Sequence, residues 1–114
     1  MIVRAEEQRV ETRTAMRGGE GAIELRHLID GAGTFGKSRL IARLTIPAGA
    51  SIGRHPHGPD AEAYIILSGE AVVTENGAEY RLGPGDAAFT GNGDSHSIAN
   101  AGAEELIVLA VVFN

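Results

Sequence analysis

Apolar and polar residues alternate most cleanly over Ser38–Ile46. Leu40, Ala42, Leu44 and Ile46 share one face, and Arg39, Ile41, Arg43 and Thr45 share the other. A period of two predicts a strand with one buried side. Pro47-Ala48-Gly49 ends it. Shorter runs repeat the theme over residues 22–29, 62–67, 70–75, 96–99 and 105–113, and over Ala78–Leu82 and Ala87–Thr90. Turn residues separate them. Asn76-Gly77 fits a two-residue hairpin, whose central positions both need φ > 0. Gly83-Pro84-Gly85-Asp86 and Gly91-Asn92-Gly93-Asp94 read as further turns, and residues 30–36, with three glycines, as a loop. Residues 1–21 are polar and charged, and predict an irregular N-terminal arm with one short strand around residues 2–4. No segment keeps a helical period beyond two turns. Many short strands with glycine corners predict an all-β antiparallel sandwich or barrel over residues 22–114.

Composition narrows the function. The 114 residues suit one domain. With no Trp, 3 Phe and 2 Tyr, the core must be built from Val, Ile, Leu and Ala. The net charge is −5 and there is no basic run, so nucleic acid is not an expected partner. There is no cysteine, which excludes disulfides and thiolate metal sites. The longest apolar run, Leu106–Phe113, is too short to span a bilayer, and no charged-then-apolar leader opens the chain. A cytoplasmic protein without membrane attachment is expected. The sixteen glycines include no G-x-G-x-x-G between a strand and a helix, so a dinucleotide site has little support.

The candidate chemistry lies in His55-Pro56-His57, followed by Glu62 and, far downstream, His96. Residues two apart on an extended strand point the same way, so both imidazoles face one space. A carboxylate five residues past His57 can fold back beside them. Singly these residues mean little, since a lone histidine is more often a surface or hydrogen-bonded core residue. Together, three imidazoles and one carboxylate suit a divalent transition metal. Pro56 lacks a backbone donor, which predicts an edge or irregular strand at the histidine pair.

At these residues the chain resembles the cupin family. That family's first motif is matched by Gly49, His55, His57, Glu62 and Gly69 at every spacing. Its second is matched by Gly85, Gly93, His96 and Asn100, with Gly91 standing where the family has proline. The motifs cover about half of the chain, and residues 70–84 between them match the shortest spacing of small bacterial cupins. The resemblance implies a double-sheet jelly-roll β-barrel holding one divalent ion, Mn, Fe, Ni, Cu or Zn, on His55, His57, Glu62 and His96. It also implies open coordination positions for a small-molecule ligand, and a homodimer.

Three kinds of function fit that picture. One is a metalloenzyme of the dioxygenase, isomerase or decarboxylase type acting on a small oxygen-rich molecule. The second is a binding or sensing module anchored by the same metal, and the third a barrel that keeps its ligands and does no chemistry. A catalytic acid or base facing the open metal positions separates the first from the others. Tyr64 shares the parity of Glu62 and is the candidate catalytic group, an orienting donor to a metal-bound oxygen; otherwise it is a core tyrosine. His27 reads as a surface or interface residue, Arg39 and Arg43 as solvent or dimer contacts, and Asn100 and Asp86 as turn-stabilising groups. Leu106–Phe113 is apolar on both faces, so its outer side is expected to be covered by a second copy, with the arm free to pair with an edge of that copy.

Overall fold

A computed structural model describes all 114 residues, Met1–Asn114. The strands are β1 (Arg9–Thr14), β2 (Ala22–His27), β3 (Ser38–Ile46), β4 (Ser51–Pro56), β5 (Ala61–Ser68), β6 (Ala71–Glu75), β7 (Ala78–Leu82), β8 (Ala87–Thr90), β9 (Ser95–Asn100) and β10 (Leu106–Phe113). Single 3-10 turns occupy Ala5–Glu7, Met16–Gly18 and Gly31–Thr34. No helix is long and apolar enough to cross a membrane.

All pairings are antiparallel, in a six-stranded sheet ordered β1-β2-β3-β10-β5-β8 and a four-stranded sheet ordered β4-β9-β6-β7. This is the expected double-sheet jelly roll. The alternation of β3 behaves as its sequence predicts, with Ala42, Leu44 and Ile46 buried and Arg39 and Arg43 exposed. Tyr64 and Ile66 of β5, Ile98 of β9, and Leu106, Val108 and Ala110 of β10 meet that stripe in the core between the sheets. Pairing Val108 with Leu44 and with Ile66 fixes this register, because a slip of one residue would turn each apolar set outward. Asn76 and Gly77 both have positive φ, as the predicted hairpin between β6 and β7 requires.

The N-terminal arm differs from expectation. Residues 2–4 form no strand, whereas Arg9–Thr14 pairs with β2 of the same chain, from Arg9↔His27 to Thr14↔Ala22. Its β-branched Val10, Thr12 and Thr14 favour extended backbone. Glu11 takes ion pairs from Arg9 at 3.0 Å and Arg13 at 2.6 Å. The strand has no buried residue, so no apolar stripe announces it in the sequence.

Candidate metal site

The site is assembled where the two sheets face each other. His55 of β4 stands directly across from His96 of β9. Glu62 comes from β5 in the opposite sheet, paired with Val112 of β10 and Thr90 of β8. The β4–β9 register shifts between Ile52 and His55, at Gly53-Arg54. That irregularity lets Ile52 and His55, three residues apart, both turn inward, after which His57 follows His55 by the ordinary period of two. β4 is an edge strand, so Pro56 leaves no central ladder broken. The backbone of His57 is pinned to the Gly91–Asp94 turn: its N–H donates to Asp94 O at 2.9 Å, and its carbonyl accepts from Gly93 N at 2.8 Å.

All four side chains are buried, and their ligand atoms lie within 4.8 Å of one another. Glu62 Oε1 is 2.9 Å from His96 Nε2, 3.1 Å from His57 Nε2 and 3.4 Å from His55 Nε2. The opposite ring nitrogens fix two tautomers. His55 Nδ1 donates to Gly53 O at 2.8 Å, and His57 Nδ1 to Asp60 Oδ1 at 3.0 Å. In those neutral tautomers the Nε2 lone pairs of both rings point at the Glu62 oxygen, acceptor against acceptor. A shared cation reconciles them, so the donor set fits a divalent metal ion. Burial pushes the Glu62 carboxyl up, but when the surrounding imidazoles are protonated, hydrogen bonds from His55 and His96 and charge from His96 and His57 outweigh it and hold the pKa down at about 2. Burial, aided by His96 and His55, holds His57 below the usual imidazole range against the pull of Glu62. An ionised carboxylate and a neutral imidazole are the forms a metal takes.

Asp60 also pairs with Arg39, so a chain of contacts runs from Arg39 through Asp60 to His57. Arg39 reaches this position because the β3–β10 register shifts between Val112 and Phe113. Ser38 pairs with Phe113 and Leu40 with Val112, which leaves Arg39 outside the ladder and re-aimed. Arg39 is solvent-exposed, as its sequence reading has it, and it pairs with Asp60 in addition. Tyr64, 1 % exposed, stacks on the His96 ring with centroids 4.7 Å apart and planes 7° from parallel. Burial and the adjacent Glu62 carboxylate raise its phenol well above the ordinary value, so it stays protonated.

One side of the cluster opens into a cavity of about 260 Å³. Besides His55, His57 and Glu62, it is lined by Arg13, Met16, Arg17, Arg39, Leu40 and Val112. Arg13, Met16, Arg17 and Asp60 carried no signal in the sequence: the first three sit in a polar arm, and no spacing singles out Asp60. The other singled-out residues lie apart from the cluster. His27 is buried rather than at a surface, on the inner side of β2, with Nε2 3.3 Å from Glu11 Oε1. Asn100 Nδ2 donates to Ile46 O and Glu104 O at 2.9 and 2.8 Å, the turn role expected. Asp86 likewise accepts from Gly83 N at 2.8 Å.

The family model for the cupin domain matches residues 42–112. An oxalate-binding protein of Thermotoga maritima is 43 % identical over 112 residues, covering 98 % of this chain and 93 % of that one. The crystal structure of a predicted oxalate decarboxylase from Thermotoga maritima superposes with a TM-score of 0.94 at 42 % identity, covering 99 % of this chain and 98 % of that chain. The mannose-1-phosphate guanylyltransferase of Klebsiella pneumoniae is 32 % identical over 71 residues, 62 % of this chain and 15 % of that longer protein.

Proposed function

This chain belongs to the cupin family, and we propose that it holds one divalent transition metal on His55, His57, Glu62 and His96 and uses it to bind a small carboxylate of the oxalate class. The observation that carries this reading is the convergence of three Nε2 nitrogens and one ionised carboxylate oxygen on a single buried point. Four protein donors leave positions open on a five- or six-coordinate ion. A cavity of about 260 Å³ lies below the roughly 300–1,000 Å³ of drug-sized sites, which suits a ligand of a few heavy atoms. The oxalate-binding name of the relative at 43 % identity supports the same class.

A second reading, a metalloenzyme of the dioxygenase, isomerase or decarboxylase type, uses the same site. Apart from the metal-binding residues, the open side is lined by arginine and apolar side chains, and arginine does not release its proton. Binding is therefore favoured over chemistry that needs a protein acid or base there. A metal held by His55, His57, Glu62 and His96 would supply a Lewis acid, and Tyr64, stacked on the His96 ring beside Glu62, would orient the metal-binding side chains. Metal analysis of protein purified without added metal, then calorimetry with oxalate and product analysis in air and under nitrogen, tests both readings. Stoichiometric metal and oxalate binding without turnover supports the first; product formation supports the second. Tyr64→Phe is expected to keep the metal and weaken oxalate binding about three- to tenfold, the loss of one neutral hydrogen bond. Unchanged affinity removes Tyr64 from the site's function.

We propose further that the protein is a homodimer. The outer face of the six-stranded sheet carries Ile41, Ile65, Leu109 and Val111, flanked by exposed Phe89 and Phe113 with ring centroids 6.1 Å apart. An apolar sheet face of this breadth calls for cover, and a two-fold axis lets the same face provide it. Light scattering at micromolar concentration is expected to give about twice the 11.9 kDa chain mass. A monomer would refute the dimer.

A further inference from the structure

The arm does more than extend a sheet. Its turn Met16–Gly18 closes against β4 by backbone alone. A Cβ on Gly53 would lie 2.1 Å from Arg17 O, and one on Gly19 would lie 2.2 Å from Ser51 O, so the two segments approach closely only because both positions are glycine. Ser51 N donates to Glu20 O, and Glu20 N to Ser51 Oγ, both at 2.9 Å. This interlock sets Arg17 at the wall of the metal cavity. The backbone there is strained: Arg17 has φ 55° and Ala15 φ 52°, a left-handed conformation unfavourable for a residue that carries a side chain. Strain of this kind persists where the surrounding structure over-determines it, and it gathers at ligand clamps.

The three arginines of the cavity are not equivalent. Arg13 is committed to Glu11, with Nε 2.7 Å from Oε1, and Arg39 is committed to Asp60. Arg17 makes no ion pair and no side-chain hydrogen bond. Arg17, whose guanidinium is uncommitted, thus lines the same small cavity as the metal-binding side chains. Guanidinium matches a carboxylate by two parallel N–H···O bonds.

We propose that Arg17 is the residue that selects a dicarboxylate at this site, taking the carboxylate that the metal does not hold. The inference rests on the metal reading above and adds to it a division of labour. The barrel holds one end of the ligand through the ion, and the N-terminal turn recognises the other end by charge. A monocarboxylate engages only the metal and is indifferent to Arg17.

Calorimetry on the full chain loaded with Mn(II) tests this, with sodium oxalate and sodium formate as probes. Arg17→Gly is the main variant, because glycine accepts φ 55° and so keeps the turn. Arg17→Lys keeps the charge and loses the fork. Metal content is measured first in every sample. Arg17→Gly is expected to keep one metal per chain, to weaken oxalate about 10- to 100-fold, and to leave formate within about twofold; Arg17→Lys falls between. Oxalate affinity unchanged in Arg17→Gly overturns the proposal, as does an equal loss for oxalate and formate. Wild-type protein that carries metal and binds no oxalate also overturns it while the metal site stands. Wild-type protein that takes no metal removes the metal reading itself, and this inference with it.

Discussion

Replacing His57 by alanine is expected to remove stoichiometric metal and to leave the barrel folded. His57 contributes one of four converging donors, and its ring is aimed by Asp60 at 3.0 Å. Loss of an outer partner to a metal ligand typically costs 10–100-fold in affinity, and loss of the ligand itself costs more, so an affinity drop beyond about 100-fold is expected. The fold does not depend on that ring. His57 lies between β4 and β5, and its backbone bonds to Gly93 and Asp94 involve no side-chain atom. The three remaining donors stay inside a barrel whose apolar core is formed by both sheets. Metal analysis after dialysis and far-ultraviolet circular dichroism, run on the same sample, read the two halves of the claim. A variant that retains metal at wild-type stoichiometry removes His57 from the site; an unfolded one shows that the ring is structural.

The period of two made the barrel legible. It marked β3 most clearly, where Ala42, Leu44 and Ile46 are buried, a continuous apolar run marked β10, and turn chemistry marked β6 and β7 through Asn76 and Gly77. The metal-binding cluster was legible because a shared strand face fixed His55 and His57, while family spacing supplied Glu62 and His96. What escaped was set by contacts between distant segments. β1 exposes both faces, so its strand exists only through the ladder with β2. Arg39 reads as outward and is exposed, but its pairing with Asp60 depends on the β3–β10 register shift. Arg17 escaped for the same reason: its place depends on residues 17–19 meeting residues 51–53, and no local pattern encodes that meeting.

Gly53→Ala is expected to lower stability by about 1–3 kcal/mol, through overpacking that no rotamer can relieve. The new Cβ would sit 2.1 Å from Arg17 O, 2.9 Å from Arg17 C and 3.0 Å from Gly19 N. All three are backbone atoms, so the Met16–Gly18 turn must lift or β4 must bend. Lifting breaks the bonds from Ser51 N to Glu20 O and from Glu20 N to Ser51 Oγ, and moves Arg17 from the cavity wall. Bending moves Gly53 O, which holds the Nδ1 of His55. Either route couples a surface glycine to the site, so a fall of several degrees in Tm is expected together with weaker oxalate binding. Gly83→Ala is the control: its Cβ would meet nothing within 4 Å, and its φ lies outside the positive range. That substitution is expected to leave Tm unchanged or slightly raised, because alanine narrows the unfolded ensemble. Equal melting temperatures for the two variants would show that the close approach of the turn to β4 does not exist in solution.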